Sequence, residues 1–334
     1  MAGRPAGLTA RTGGGCAWAG RIAQIESIRV RRASESGRTR VKFAGAAVYG
    51  RHVRTIPDTF DRHSVAAIDA LLASIAAQER VTIPFAVESG SRAWGFPSPD
   101  SDYDCRFVYV RSVEDYLSPW PVRDVIERVP DAVLDVNGWD LTKALQLLVK
   151  GNAVVIEWMC SPVAYARDVA FVDELLALAG RIGDRALIGR HYLNVGRRQW
   201  ERSHIDGGAM HLKRLFYALR PALALRWLDM HPEQIVPPMT LAALVEQTAL
   251  PASVVEATND LVALKSMTRE LGRGVVPPVL RVLIEAELQD LPWLGRRRTA
   301  AERADAHDAA AEFFRRAVRT HAWVDAPSDA ECLD

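Results

Sequence analysis

Apolar residues first recur with helical spacing between about residues 63 and 79. Val65, Ile68, Leu71, Leu72 and Ile75 form one stripe there, and Asp61 stands where an N-cap belongs. A short β-branched apolar run over 81–87 predicts a buried strand, and 103–110 predicts a second. Between them lies a Gly/Ser/Pro-rich stretch over 89–101. The segments 122–129 and 132–136 predict a hairpin turned at Pro130-Asp131. After Trp139 the period changes. Asp140 caps a predicted helix carrying Leu141, Ala144, Leu145 and Leu148, which ends at Gly151. Further helices are expected over about 153–160, 168–180, 184–204, 208–229, 240–247, 252–271, 277–289 and 299–320. The pattern predicts a small α/β unit over 60–150 followed by a helical domain over 151–325, with no internal repeat. Residues 1–54 show little periodicity.

Composition narrows the class. The 334 residues are 49% hydrophobic and 25% charged, which excludes wholesale disorder, a collagen-like fibre and a disulfide miniprotein. The net charge of +1 excludes a protein that holds nucleic acid by bulk charge alone. That figure hides an asymmetry. Residues 1–54 hold ten Arg and Lys42 against Glu26 and Glu35, a net +9, so the other 280 residues carry the difference, −8. This basic, Gly-rich head is expected to be a disordered or upstream extension, with a transit peptide as the alternative. Cys16, Cys105, Cys160 and Cys332 are scattered with no CxxC pair, so neither a zinc site nor a disulfide partner is expected, and the compartment expected is the cytoplasm. No run of eighteen apolar residues occurs, so no membrane partner is expected.

The candidate chemistry lies in the polar stretch between the first two predicted strands. Alternation places Asp102 and Asp104 on one face of the second strand, with Tyr103 on the other. Two adjacent carboxylates repel unless a cation lies between them, and hard oxygen ligands suit Mg2+. Gly90 lets backbone N–H groups approach a phosphate, and Ser91 adds a hydroxyl. Asp135, in the strand after the hairpin turn, is the expected third carboxylate. With it two metals can be held, and it would help deprotonate an attacking hydroxyl. Asp140 competes for that role but suits an N-cap better. Arg92 either grips a triphosphate or forms a surface ion pair. Glu88 either faces the metals or pairs with an Arg. Lys143 and Lys150 share a helix face, as a phosphate clamp or as a solvated surface. Trp94, Trp139 and Trp158 are expected in the core. The Arg296-Arg297-Arg298 run is expected to be a loop rather than a nucleic-acid site.

Gly90-Ser91, ten residues and then Asp102-Tyr103-Asp104 resemble the signature of the DNA polymerase β-like nucleotidyltransferase superfamily. The wider stretch Gly90-Ser91-Arg92-Ala93-Trp94-Gly95 with Ser101-Asp102-Tyr103-Asp104 is similar to its branch of nucleotidyltransferases linked to RNA repair. So are 134–145, 157–162 and 213–221, and the resemblance covers about residues 60–230. It implies an α+β fold, with a small mixed-sheet palm domain followed by helices. It implies transfer of a nucleoside monophosphate from an NTP such as ATP, with pyrophosphate release and two Mg2+ (or Mn2+) ions on Asp102, Asp104 and Asp135. Gly90, Ser91, Arg92, Ser101, Lys143 and Lys150 would contact the nucleotide. Lys213, Tyr217 and Arg220, on one helix face, would contact the base or an RNA phosphate. An RNA or tRNA end is the implied acceptor. A protein side chain, a small hydroxylated molecule and a non-catalytic nucleotide- or RNA-binding module are the alternatives.

Overall fold

The computed structural model describes residues 53–128, 133–204, 210–268 and 272–324. The basic head lies outside the described residues except for its last two positions, as does the Pro130-Asp131 turn. The first helix, α1 (Arg62–Gln78), starts where its stripe predicts. Asp61 accepts from Ser64 N at 2.8 Å, and Val65, Ile68, Leu72 and Ile75 are buried. Burying each such side chain is worth roughly 1.5–3 kcal/mol.

The stripe packs on a five-stranded mixed sheet of β1 (Thr82–Glu88), β2 (Tyr103–Val110), β3 (Val125–Arg128), β4 (Leu134–Asp140) and β5 (Ala164–Arg167), in the order β3-β4-β2-β1-β5. β2 and β4 run parallel, and the other neighbours pair antiparallel. Tyr103, Cys105, Phe107 and Val136 join α1 on one face. Phe85, Val87, Val108 and Val110 face the opposite way and enter a second apolar core. Coverage on both faces explains why the last five residues of β1 are all buried rather than alternating.

Short helices α2 (Gly90–Trp94) and α3 (Val113–Leu117) lie between strands. α4 (Leu141–Val149) packs Leu141, Ala144, Leu145 and Leu148 into the second core, joined there by α5 (Ala153–Met159) and α6 (Val169–Ile182). The long pair α7 (Arg185–Ser203) and α8 (Leu212–Met230) follows, with a two-stranded ribbon of β6 (Met210–His211) and β7 (Arg273–Gly274). The chain then runs through α9 (Leu241–Gln247), α10 (Ala252–Met267), α11 (Pro278–Glu287), a 3-10 turn (Pro292–Gly295) and α12 (Ala300–His321). The architecture is α+β, as expected. One apolar core is shared by the sheet and the helices beyond residue 151. β5 is a departure from the predicted pattern, a short edge strand in a stretch that otherwise reads helical. Among the described residues, no helix is long and apolar enough to cross a membrane. Cys105 and Cys160 are free thiols, and Cys16 and Cys332 lie outside the described residues.

Candidate active site

β1 delivers the chain to Glu88, after which the backbone turns sharply. Gly90 has φ +60° and opens α2; Gly95, at φ +88°, ends it in the left-handed region that favours glycine. The return loop is fastened to that helix. Ser91 Oγ donates to Ser101 Oγ at 3.0 Å, and Ser98 N donates to the same oxygen at 2.8 Å. Arg92 reaches from α2 to the start of β2, donating to the carbonyls of Asp102 at 3.1 Å and Ser101 at 2.6 Å. Its guanidinium lies 3.9 Å from the centre of the Tyr103 ring. Arg92 therefore clamps the turn.

β2 and β4 bring two carboxylates together. Asp104 and Asp135 are register partners in the parallel pair, so the strands place both carboxyl groups at one edge. Two residues beyond Asp104 and on the same face, Arg106 lies between them. Its Nη2 donates to Asp104 Oδ1 at 2.8 Å and to Asp135 Oδ2 at 2.7 Å, and its Nη1 to the Asp135 carbonyl at 2.8 Å. Asp102 stands exposed just before β2. Burial raises the Asp104 carboxyl above the ordinary range, Arg106 opposes this, and Asp135 and Asp102 add to it. Asp140 is an N-cap: its Oδ1 accepts from Thr142 N at 2.7 Å, and its other oxygen from the Tyr116 hydroxyl at 3.2 Å.

Glu88 supports the edge from below and is fully buried. Its Oε1 accepts from Asp104 N at 2.9 Å and its Oε2 from the Tyr165 hydroxyl of β5 at 2.5 Å. Burial pushes its carboxyl up to about 7 against these two hydrogen bonds. It is a pillar under the strand rather than a partner of an Arg side chain.

Helix α8 closes one side. Tyr217 meets Trp94 edge-on at 5.4 Å, and burial raises its hydroxyl, with Asp104 and Asp102 adding to the shift. The Lys213 charge acts in turn on Asp104. Arg220, one turn further on, is instead buried. It donates to Glu157 Oε1 at 2.8 Å and to the Met239 carbonyl at 2.9 Å, and lies over the Trp94 ring. Lys143 pairs with Asp124 at 3.0 Å, near the Asp140 end of β4. Lys150 is exposed and lines a separate cavity. The structure thus gathers Gly90, Ser91, Arg92, Ser101, Asp102, Asp104, Asp135, Lys213 and Tyr217, buries Arg220 behind Trp94, and sets Lys143 and Lys150 elsewhere.

Among the described residues, no three His, Cys, Asp or Glu side chains converge closely enough to hold a metal ion. The fit to a divalent cation is one of donor chemistry. Asp104 and Asp135 are hard oxygen donors side by side, and Arg106 already supplies the positive charge that such a pair demands. Sequence reading missed Arg106, although the alternation that pairs Asp102 with Asp104 places it next in line. It also missed Lys265 of α10, which is buried and donates from Nζ to the Phe96 carbonyl at 2.8 Å.

A Gly-initiated turn leading into paired strand carboxylates, on a five-stranded mixed sheet backed by helices, defines the polymerase β-like class. The pattern of the family described as "RNA repair pathway DNA polymerase beta family" matches residues 65–316, and the chain belongs to that family. It is also similar to Uncharacterized protein YcgL of Bacillus subtilis (strain 168), 36% identical over 209 residues, which span 63% of this chain and 79% of the relative.

Proposed function

We propose that the protein is a metal-dependent nucleotidyltransferase that transfers a nucleoside monophosphate from an NTP to a hydroxyl at an RNA end. The observation that carries this reading is the seating of the Gly90 turn against Asp104, with Asp135 beside it in register. A triphosphate lies over the turn and is met by its backbone N–H groups. Asp104 and Asp135, with Asp102 from the rim, would hold Mg2+ or Mn2+, whose charge offsets that gathering on the α-phosphate and on departing pyrophosphate.

The acceptor oxygen forms a bond to the α-phosphorus as the bond to the pyrophosphate oxygen breaks. Asp135 takes the hydroxyl proton. Its side chain is 43% exposed against 24% for Asp104, so it is the more accessible of the pair to an incoming acceptor. Arg92 and the Ser91–Ser101 hydrogen bond keep the turn in place, and catalysis rests mainly on positioning. Lys213 and Tyr217, beside the carboxylates, are placed to meet the nucleotide or the acceptor. Membership of an RNA-repair family supports RNA as the acceptor.

Purified protein incubated with α-labelled NTPs, mixed RNA and Mg2+ should label RNA and release pyrophosphate, and Asp104→Ala should do neither. Label only on protein, or equal transfer by Asp104→Ala, would refute the reading.

A further inference from the structure

A cavity of about 640 Å3, sharing no lining residue with the carboxylate edge, lies between the end of α4, helix α7 and the segment running from the 3-10 turn into α12. Six of its lining residues are basic: Lys150, Arg190, Arg297, Arg298, Arg303 and His307. None is acidic. In a body whose residues beyond the head sum to −8, this concentration of one sign stands apart.

The six divide into two sets. Arg298 donates to the carbonyls of Val149 and Ile182, with Asp184 3.4 Å behind it; Arg190 donates to the carbonyls of Leu294 and Arg296. Arg303 spends one nitrogen on the Arg298 carbonyl at 2.6 Å. These three build the wall. The side chains of Lys150, Arg297 and His307 donate to no described residue, and all three residues are exposed. Their donors face the opening without a partner. The floor is aliphatic, formed by Val149, Leu187 and Leu294, and no Phe, Tyr or Trp ring lines it. Such a site reads phosphate rather than base. Its volume and its number of cations exceed what one phosphate group uses.

We propose that this cavity is a second phosphate-binding site that holds the phosphodiester backbone of a polynucleotide, with Lys150 and Arg297 as its free cations and His307 as a further ring N–H donor. In naming RNA it rests on the proposed acceptor, and it locates where the chain is gripped away from the reacting end. It also gives a role to Lys150, which the carboxylate edge does not use.

The test is the anisotropy of a fluorescein-labelled single-stranded RNA with the full-length protein, in EDTA and without NTP, over a series of KCl concentrations. Lys150→Gln/Arg297→Gln should bind roughly tenfold more weakly. Its plot of log K against log salt should flatten by about 1.4, near 0.7 for each phosphate that is no longer neutralised. Unchanged affinity and slope, or no RNA binding by the wild type, would overturn the proposal. So would a double variant that loses tripolyphosphate binding by calorimetry yet keeps RNA affinity, since the site would then serve a small free polyphosphate. If the double variant does not fold, Arg297→Gln alone should flatten the slope by about 0.7. RNA binding that depends on these residues without any nucleotide transfer would retain this inference and refute the proposed activity.

Discussion

Gly90 and Asp104 are packed so closely that a Cβ built on Gly90 falls 1.9 Å from Asp104 Oδ2. The turn and the carboxylate therefore form one unit. Gly90→Ala meets two penalties, since φ +60° strains any L residue by about 1–2 kcal/mol and the methyl also displaces the carboxyl. Nucleotide transfer should fall by more than about tenfold, more than the fall in thermal stability accounts for. A variant with unchanged kcat/KM would show that this close packing has no part in transfer.

Arg106 is the counter-charge shared by Asp104 and Asp135. Arg106→Ala leaves two partly exposed carboxylates facing each other, at a cost of about 1 kcal/mol after solvent screening. The variant should melt lower than the wild type in EDTA and gain more from added Mg2+. Arg106→Lys keeps the charge but has no second nitrogen to hold the Asp135 carbonyl while it bridges the two acids, so it should recover only part of the loss. Equal Mg2+-induced shifts in melting temperature for wild type and Arg106→Ala would separate Arg106 from cation binding.

What was legible in the chain depended on how local its cause is. The α1 stripe, β1 and β2 follow from period alone, whereas Asp102 falls just before β2, outside the strand alternation that was to pair it with Asp104. Asp140 was readable as an N-cap because capping acts over two or three residues. Lys143 was ambiguous because its partner, Asp124, lies nineteen residues earlier on another element. Arg220 shares a helical face with Lys213 and Tyr217, yet α8 sinks into the core as it proceeds, so the same face passes from the site edge to a buried ion pair with Glu157. β5 is four residues long and owes its existence to the free edge of β1, which no local pattern announces.

Glu88 makes folding sensitive to pH. Its carboxyl is held near 7 in the fold against an ordinary 4.5, so the folded state keeps a proton that the unfolded chain releases. Its contribution is complete below about pH 4.5 and is lost as pH rises through about 7. Glu88→Gln mimics the neutral form. In urea unfolding, the stability of Glu88→Gln relative to the wild type should rise between about pH 5 and 8. A constant difference across that range would mean that Glu88 does not titrate there.

Lys265 presents the opposite sign. It is 4% exposed, with its ammonium 4.7 Å from the centre of the Phe96 ring, donating to the Phe96 carbonyl at the end of the α2 turn. Burial, reinforced by the Lys213 charge, pushes it down to about 8 from an ordinary 10.5. Below about pH 8 both folded and unfolded chains carry the proton, and the fold bears the full cost of burying the charge. Between about pH 8 and 10.5 the folded state releases the proton while the unfolded chain keeps it, so this residue's contribution to stability rises with pH. Lys265→Met fills much of the same space and removes the titration, but leaves the Phe96 carbonyl without its donor, at a cost of about 1–3 kcal/mol. The wild type should therefore gain stability relative to Lys265→Met across that range in denaturant unfolding. Because that carbonyl anchors the loop bearing Ser98 and Ser101, the variant's KM for NTP should rise more than its kcat falls. Parallel pH profiles would show that the ammonium does not titrate in the fold, and an unchanged KM would uncouple the loop anchor from nucleotide binding.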